Sequence, residues 1–165
     1  MDLIHKCKNG TKIYREGDLA YKYGKDTLKE YQLLSELSHP NIIKVYGHKT
    51  VANLGKCLIM EYFEGESLIF PTDRQLKELE DVIKHIHSKG IKHNDLMGYN
   101  ILSNGKTIKV IDFGNADSVC RKAKDVEGCK REDWENYGVF ETEQYVVRRR
   151  MENNNNALQG VSNDG

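Results

Sequence analysis

The chain has 165 residues and a mass of 19.0 kDa, the size of one domain with a core of its own. Hydrophobic residues make up 38% and charged residues 30%, and 25 Lys plus Arg balance 25 Asp plus Glu, so the net charge carries neither a nucleic-acid footprint nor an attraction to anionic membranes. No apolar run reaches the roughly 18 residues of a membrane span, and Met1-Asp2-Leu3-Ile4-His5-Lys6 lacks the basic-then-apolar order of a signal peptide, which makes a cytoplasmic protein the expectation.

In chain order, Leu3 to Cys7, Lys12 to Arg15 and Leu19 to Tyr23 read as strands, separated by an Asn9-Gly10 hairpin signal and a Gly17-Asp18 turn. Asp26 is placed to cap a helix in which Glu30, Leu33, Leu34 and Leu37 recur at helical spacing until His39-Pro40. Strands Ile42 to Tyr46 and Cys57 to Tyr62 follow. From Asp73, the residues Leu76, Leu79, Val82, Ile83 and Ile86 mark one face of a long amphipathic helix that Lys89-Gly90 stops. Asn100 to Leu102 and Thr107 to Ile111 read as strands around Asn104-Gly105. Glu132 to Val147 reads as a helix anchored by Trp134, Tyr137, Phe140 and Tyr145.

The tail 148–165, from Arg148-Arg149-Arg150 through Asn153 to Asn156, has little apolar surface and is expected to be disordered, its arginines a solvated helix end. The cysteines at 7, 57, 120 and 129 form no CxxC pair. Cys57 reads as a small buried hydrophobe and Cys120 and Cys129 as solvated loop residues, so neither zinc nor a disulfide is expected and a reducing compartment fits.

The stretch His93-Asn94-Asp95-Leu96-Met97-Gly98-Tyr99-Asn100, with Asp112-Phe113-Gly114 beginning seventeen residues beyond Asp95, carries the chemistry. Phosphoryl transfer from a magnesium nucleotide needs a carboxylate to orient and deprotonate the attacking hydroxyl, a role for Asp95. It also needs oxygen ligands that hold metal against the phosphates, a role for Asn100 and Asp112.

Here the chain resembles the protein-kinase fold. Met60-Glu61-Tyr62-Phe63-Glu64-Gly65 resembles a kinase gatekeeper and hinge, His39-Pro40-Asn41-Ile42 the junction after the regulatory helix, and Ile86 to Ile91 the approach to the catalytic loop, in the family's order over roughly residues 12 to 147. Asp133-Trp134-Glu135-Asn136-Tyr137-Gly138-Val139 is similar to a helix deep in the kinase large lobe. The resemblance implies an α+β fold of two lobes: a small antiparallel sheet with one helix, residues 1 to about 62, and a truncated, mainly helical lobe, about 63 to 147. It implies ATP and Mg2+ as cofactors and Asp95, Lys22 and Asn100 as catalytic residues, with Asn100 and Asp112 on the metal. Lys22 would contact the nucleotide phosphates with Glu30 as its helix partner and Glu36 as the alternative, while backbone groups near Glu61 and Phe63 would hold adenine.

Three departures stand out. The hairpin Lys8-Asn9-Gly10-Thr11 replaces a glycine-rich loop, so the turn at Asn9 and Gly10 has one or two amides to offer a phosphate. Met97 and Asn94 stand where Ser/Thr kinases carry a lysine and an arginine. No Ala-Pro-Glu signature separates Asp112 from Asp133. Such trimming resembles minimal kinases of bacterial effectors and viruses, which would act in a host cytoplasm, and small atypical kinases associated with tRNA modification. The implied activity is transfer to Ser or Thr of a protein substrate, with an activating or docking partner and no nucleic acid or membrane. A pseudokinase or scaffold module, or a small-molecule phosphotransferase, are the alternatives.

Overall fold

A computed structural model describes the backbone of residues 1–162 and the side chains of these except 143–148 and 160–162. The strands β1 (Asp2–Lys6), β2 (Lys12–Glu16) and β3 (Leu19–Tyr23) are followed by the helix α1 (Thr27–Ser35) and the strands β4 (Val45–Val51) and β5 (Gly55–Glu61). The five strands form one antiparallel sheet in the order β1-β2-β3-β5-β4. Gly10 and Gly17 turn the first two hairpins with φ of 90° and 60°, conformations that cost least where there is no Cβ. The helix α1 buries Glu30, Leu33 and Leu34 and packs on β4 and β5. Asp26 occupies its N-cap position without capping it; the Thr27 hydroxyl donates instead to the Gly24 carbonyl at 3.1 Å.

The second lobe is built from β6 (Glu66–Ser67), α2 (Asp73–Ser88), β7 (Ile101–Ser103), β8 (Ile108–Val110) and α3 (Val126–Ser162), with β6-β7-β8 forming a small antiparallel sheet. A reciprocal capping box between Thr72 and Gln75 starts α2. Its apolar stripe Leu76, Leu79, Val82, Ile83 and Ile86 is buried as the spacing predicts. Each such side chain contributes about 1.5–3 kcal/mol through its removal from water.

One core runs through both lobes, from Leu33, Leu34 and Leu58 to Leu79, Ile108 and Phe113. Its seam is the segment Asn41 to Ile43. Ile42 bridges Val110 in parallel, the Ile43 N–H donates to the Val110 carbonyl (3.1 Å), and the Asn41 Nδ2 donates to the Ile108 carbonyl (3.0 Å). This corrects the expected strand Ile42 to Tyr46. The two isoleucines are buried between the lobes, and β4 starts only at Val45.

Two further expectations are corrected. The helix α3 begins at Val126 and continues to Ser162, so 148–162 is helical where composition suggested disorder. No proline interrupts this stretch, and it extends a helix already nucleated at Val126, so that Arg, Met, Glu, Ala, Leu and Gln carry the helix across the weaker Asn153 to Asn156. Along it Phe140 is buried and Trp134 and Tyr137 pack on the core. The side chains of Tyr145 and Arg148, and residues 163–165, lie outside the described residues. Cys120, on the 3₁₀ turn Val119–Lys122, is buried and joined by a disulfide to Cys129 on α3, rather than solvated and unpaired. The early start of α3 is what brings Cys129 to it, with the Cα atoms 5.8 Å apart. Among the described residues no helix is long and apolar enough to cross a membrane.

Candidate active site

Lys22 on β3 faces into the cleft between the lobes. Its Nζ donates to Glu30 Oε2 of α1 at 2.8 Å and to Asp112 Oδ1 at 3.1 Å. The choice between the two glutamates is thereby settled: Glu30 is buried against Lys22, whereas Glu36 pairs with Arg121. Burial alone would lower the Lys22 pKa, but the two carboxylates outweigh it and raise it. Burial likewise works to raise the Asp112 pKa, yet Lys22 and the Gly114 N–H (3.1 Å) leave it lowered. The other Glu30 oxygen accepts the Phe113 N–H at 3.0 Å, so one carboxylate fixes both the lysine and the segment that carries Asp112. Asp112 itself holds a left-handed backbone, with φ of 53°.

The loop opposite is tied down still more closely. Asp95 Oδ2 and its own carbonyl both accept from Asn100 Nδ2, each at 2.8 Å. This orients the Asn100 amide and leaves its Oδ1 for another partner. His93 Nδ1 accepts the Asp95 N–H (3.1 Å), so Nε2 bears the proton donated to the Ile111 carbonyl (3.0 Å). Burial lowers the His93 pKa and keeps the ring neutral, as both bonds require. Beneath the loop, the buried carboxylate of Asp133 accepts from His87 Nε2 (2.8 Å), the His93 N–H (3.0 Å) and the Asn94 N–H (3.0 Å). These bonds hold Asn94 at φ 71°, a left-handed geometry paid for by its surroundings. They also keep the Asp133 carboxyl below its usual pKa although burial pushes it up.

The cleft these groups share has a volume of about 860 Å³. Ile13, Ala20, Met60, Phe63, Leu102 and Ile111 supply apolar walls, while Lys22, Asn100 and Asp112 supply polar groups at one end. A site mostly apolar with a few converging polar groups suits a planar ring bearing a charged tail.

The protein kinase domain family matches residues 6–147. The chain belongs to this family. It is 32% identical over 98 residues to the CBL-interacting serine/threonine-protein kinase 21 of Arabidopsis thaliana, covering 52% of this chain and 23% of that protein. It is 32% identical over 117 residues to the serine/threonine-protein kinase ppk8 of Schizosaccharomyces pombe (64% and 23%), and 32% identical over 99 residues to the human testis-specific serine/threonine-protein kinase 3 (53% and 37%). The kinase domain here therefore spans well under half the length of these relatives.

The kinase site fits Mg2+ and a nucleotide by its donor set. Asn100 Oδ1 and the Asp112 oxygen not bonded to Lys22 are hard ligands of the kind magnesium takes, and two such ligands leave the remaining positions to phosphate and water. Among the described residues no group of three or more His, Cys, Asp or Glu side chains could hold a metal without such help.

Of the residues read from the sequence, Lys22, Glu30, Glu61, Phe63, Asn100 and Asp112 all line the cleft, and Asp95 is bonded to Asn100 at its edge. The hinge divides unevenly. The Glu61 N–H is spent on the Lys44 carbonyl (2.9 Å), while the Phe63 N–H makes no backbone hydrogen bond among the described residues, which makes Phe63 the donor open to adenine. The first turn keeps one of the two amides expected of it, since the Asn9 N–H makes no hydrogen bond among the described residues. Asn9 reaches the cleft but Gly10 does not; the Gly10 N–H donates to the Cys7 carbonyl (3.1 Å) and the Thr11 N–H to Asn9 Oδ1 (3.0 Å). Sequence reasoning missed Lys25 at the cleft and the support that Asp133 gives from below. It also missed Tyr99, whose hydroxyl donates to Asp95 Oδ1 at 2.7 Å. A tyrosine four residues after Asp95 was the available signal.

Proposed function

We propose that this kinase domain binds Mg-ATP between its lobes and transfers the γ-phosphate to serine or threonine of a protein substrate. The observation that carries this reading is the bridge from Glu30 through Lys22 to Asp112, closed in the same cleft as the Asp95–Asn100 pair. When bound, Mg-ATP supplies a transferable phosphoryl group whose charge the metal partly neutralises. Lys22 presents a cation to the phosphates, and Glu30 keeps that cation from swinging away. Asn100 and Asp112 offer metal ligands. Asp95, oriented by Asn100 and the loop beneath it, orients the acceptor hydroxyl and takes its proton, as a base within hydrogen-bond reach does. The preference for serine and threonine rests on the printed names of the relatives.

The segment after Asp112 is short and pinned. Asp117 pairs with Lys92 through two backbone bonds (3.0 and 3.1 Å), Asn94 Nδ2 donates to the Asn115 carbonyl and to Asp117 Oδ2 (both 2.9 Å), and Cys120 is tied to Cys129. Asn94 thus fastens the segment where an arginine would read a phosphate. Substrate selection accordingly falls to a docking partner or surface elsewhere, and activity does not depend on phosphorylation of Ser118. The test is transfer from labelled ATP to candidate proteins in cell lysate, with Asp112→Ala as control. Incorporation above the control supports the reading. Equal incorporation, with no magnesium-dependent stabilisation by ATP, leaves a binding module in its place.

A further inference from the structure

The Tyr99 hydroxyl is an unusual neighbour for Asp95. It donates to Asp95 Oδ1 at 2.7 Å while Asn100 occupies Oδ2, so both oxygens of this carboxylate are engaged, one of them by a phenol. Tyr99 lines the same cleft as Lys22, Asn100 and Asp112, and it is 59% exposed on the 3₁₀ turn Gly98–Asn100 that carries it. A hydroxyl hydrogen-bonded to the base, at the mouth of a phosphate site, is placed as an acceptor hydroxyl would be.

We propose that Tyr99 is an internal acceptor: the domain phosphorylates its own Tyr99 within one molecule. This rests on the kinase reading above. In the step, the Tyr99 Oη forms a bond to the γ-phosphorus of ATP as the bond from that phosphorus to the β–γ bridging oxygen breaks. The electron pair of the broken bond leaves with ADP, and the phenolic proton passes to Asp95 Oδ1. The tether replaces a bimolecular encounter, so the reaction is first order and independent of protein concentration. The product places a phosphate with about −1.5 to −2 charges beside Asp95 and near Asp112, where like charge disfavours it. The modified side chain lies where other acceptors would enter, so the mark slows transfer to protein substrates.

Intact-mass and peptide mass spectrometry of purified protein incubated with Mg-ATP test this. One phosphate per chain on Tyr99, at a rate unchanged by dilution and absent in Tyr99→Phe and Asp95→Ala, is the expected result. Phosphate on added protein substrates with none on Tyr99 overturns the proposal and leaves the kinase reading intact. Phosphate on Tyr99 whose rate falls with dilution overturns the intramolecular step. No phosphate on any protein overturns both. A second readout needs no nucleotide: in protein labelled with ¹³C at the tyrosine ζ carbon, the signal lost in Tyr99→Phe shifts in Asp95→Ala. An unmoved signal means the hydroxyl is not on Asp95, and the proposal falls.

Discussion

The two walls of the cleft are built to different standards. In the floor, Asp95, Asn100, His93, Asn94 and Asp133 form a chain of hydrogen bonds between 2.8 and 3.1 Å, sunk into the core of the second lobe. In the roof, the Lys8–Thr11 turn spends its Gly10 and Thr11 amides on itself, and the strand β1 beside it is exposed along its whole length. In that roof Lys22 is locked by Glu30 and Asp112, and Glu30 in turn by the Phe113 N–H. On the proposed function, the contrast implies rigid positioning of the acceptor and the metal but only slight enclosure of the phosphates. Electrostatic preorganisation demands fixed groups, and it is the floor that has them.

The sharpest way to break this comparison is to remove the base. Asp95→Ala should lower transfer about a hundred- to ten-thousand-fold, the usual range for a general base, with little change in ATP binding. Steady-state rates with labelled ATP check this, and a modest loss would place the chemistry elsewhere. Next is the buried support: Asp133→Ala strands three donors, including His87 and two backbone N–H groups, and should cost about 3–5 kcal/mol in chemical denaturation. Glu30→Ala should weaken phosphate positioning more than adenine binding, so affinity falls for ATP but not for adenosine, measured by calorimetry. At the small end, Gly10→Ala meets no atom within 4 Å and changes only a turn with positive φ. It should cost about 1–2 kcal/mol of stability and leave ATP affinity nearly unchanged.

Acid offers a test of the floor as a unit. His93 is held neutral with its pKa below the usual value of about 6.5, so the unfolded chain binds the extra proton first as pH falls. Stability is therefore full above about pH 6.5 and declines below it. The lowered carboxyls of Asp112 and Asp133 hold their share until pH falls below the ordinary aspartate range of about 3.9, and lose it on passing their folded pKa values. A melting temperature recorded from pH 8 to 4 should fall first through the histidine step. His93→Gln, itself less stable, should flatten that step.

Much of this was legible in the sequence because the signals were local. The stripe of α2, the strand Leu19–Tyr23 and the run from His93 to Asn100 each announce themselves by spacing, and the site residues follow from the family resemblance they carry. What was not legible depended on contacts between distant residues. The pattern Ile42 to Tyr46 has strand-like residues, yet its burial comes from Val110, 68 positions beyond Ile42. The Asn9-Gly10 turn gave the right hairpin but not the fact that its Gly10 amide bonds inward. Cys120 and Cys129 looked like loop residues because α3 was expected to begin only at Glu132; its start at Val126 brings them together. The helix beyond Val147 was missed because composition weighs burial and Asn153 to Asn156 are weak helix formers, whereas extending a helix already formed from Val126 needs no new nucleus.

The account's central claim, a cleft whose rigid floor holds the nucleotide through metal, is tested most directly by calorimetric titration with ATP in the presence and absence of Mg2+. Asp112→Asn and wild type are compared in the same buffer. The account predicts that Mg2+ raises the affinity of the wild type for ATP at least tenfold, about 1.4 kcal/mol, and that the variant loses this gain while adenosine binding is unchanged. Affinity for ATP that is the same with and without Mg2+ in the wild type would contradict it.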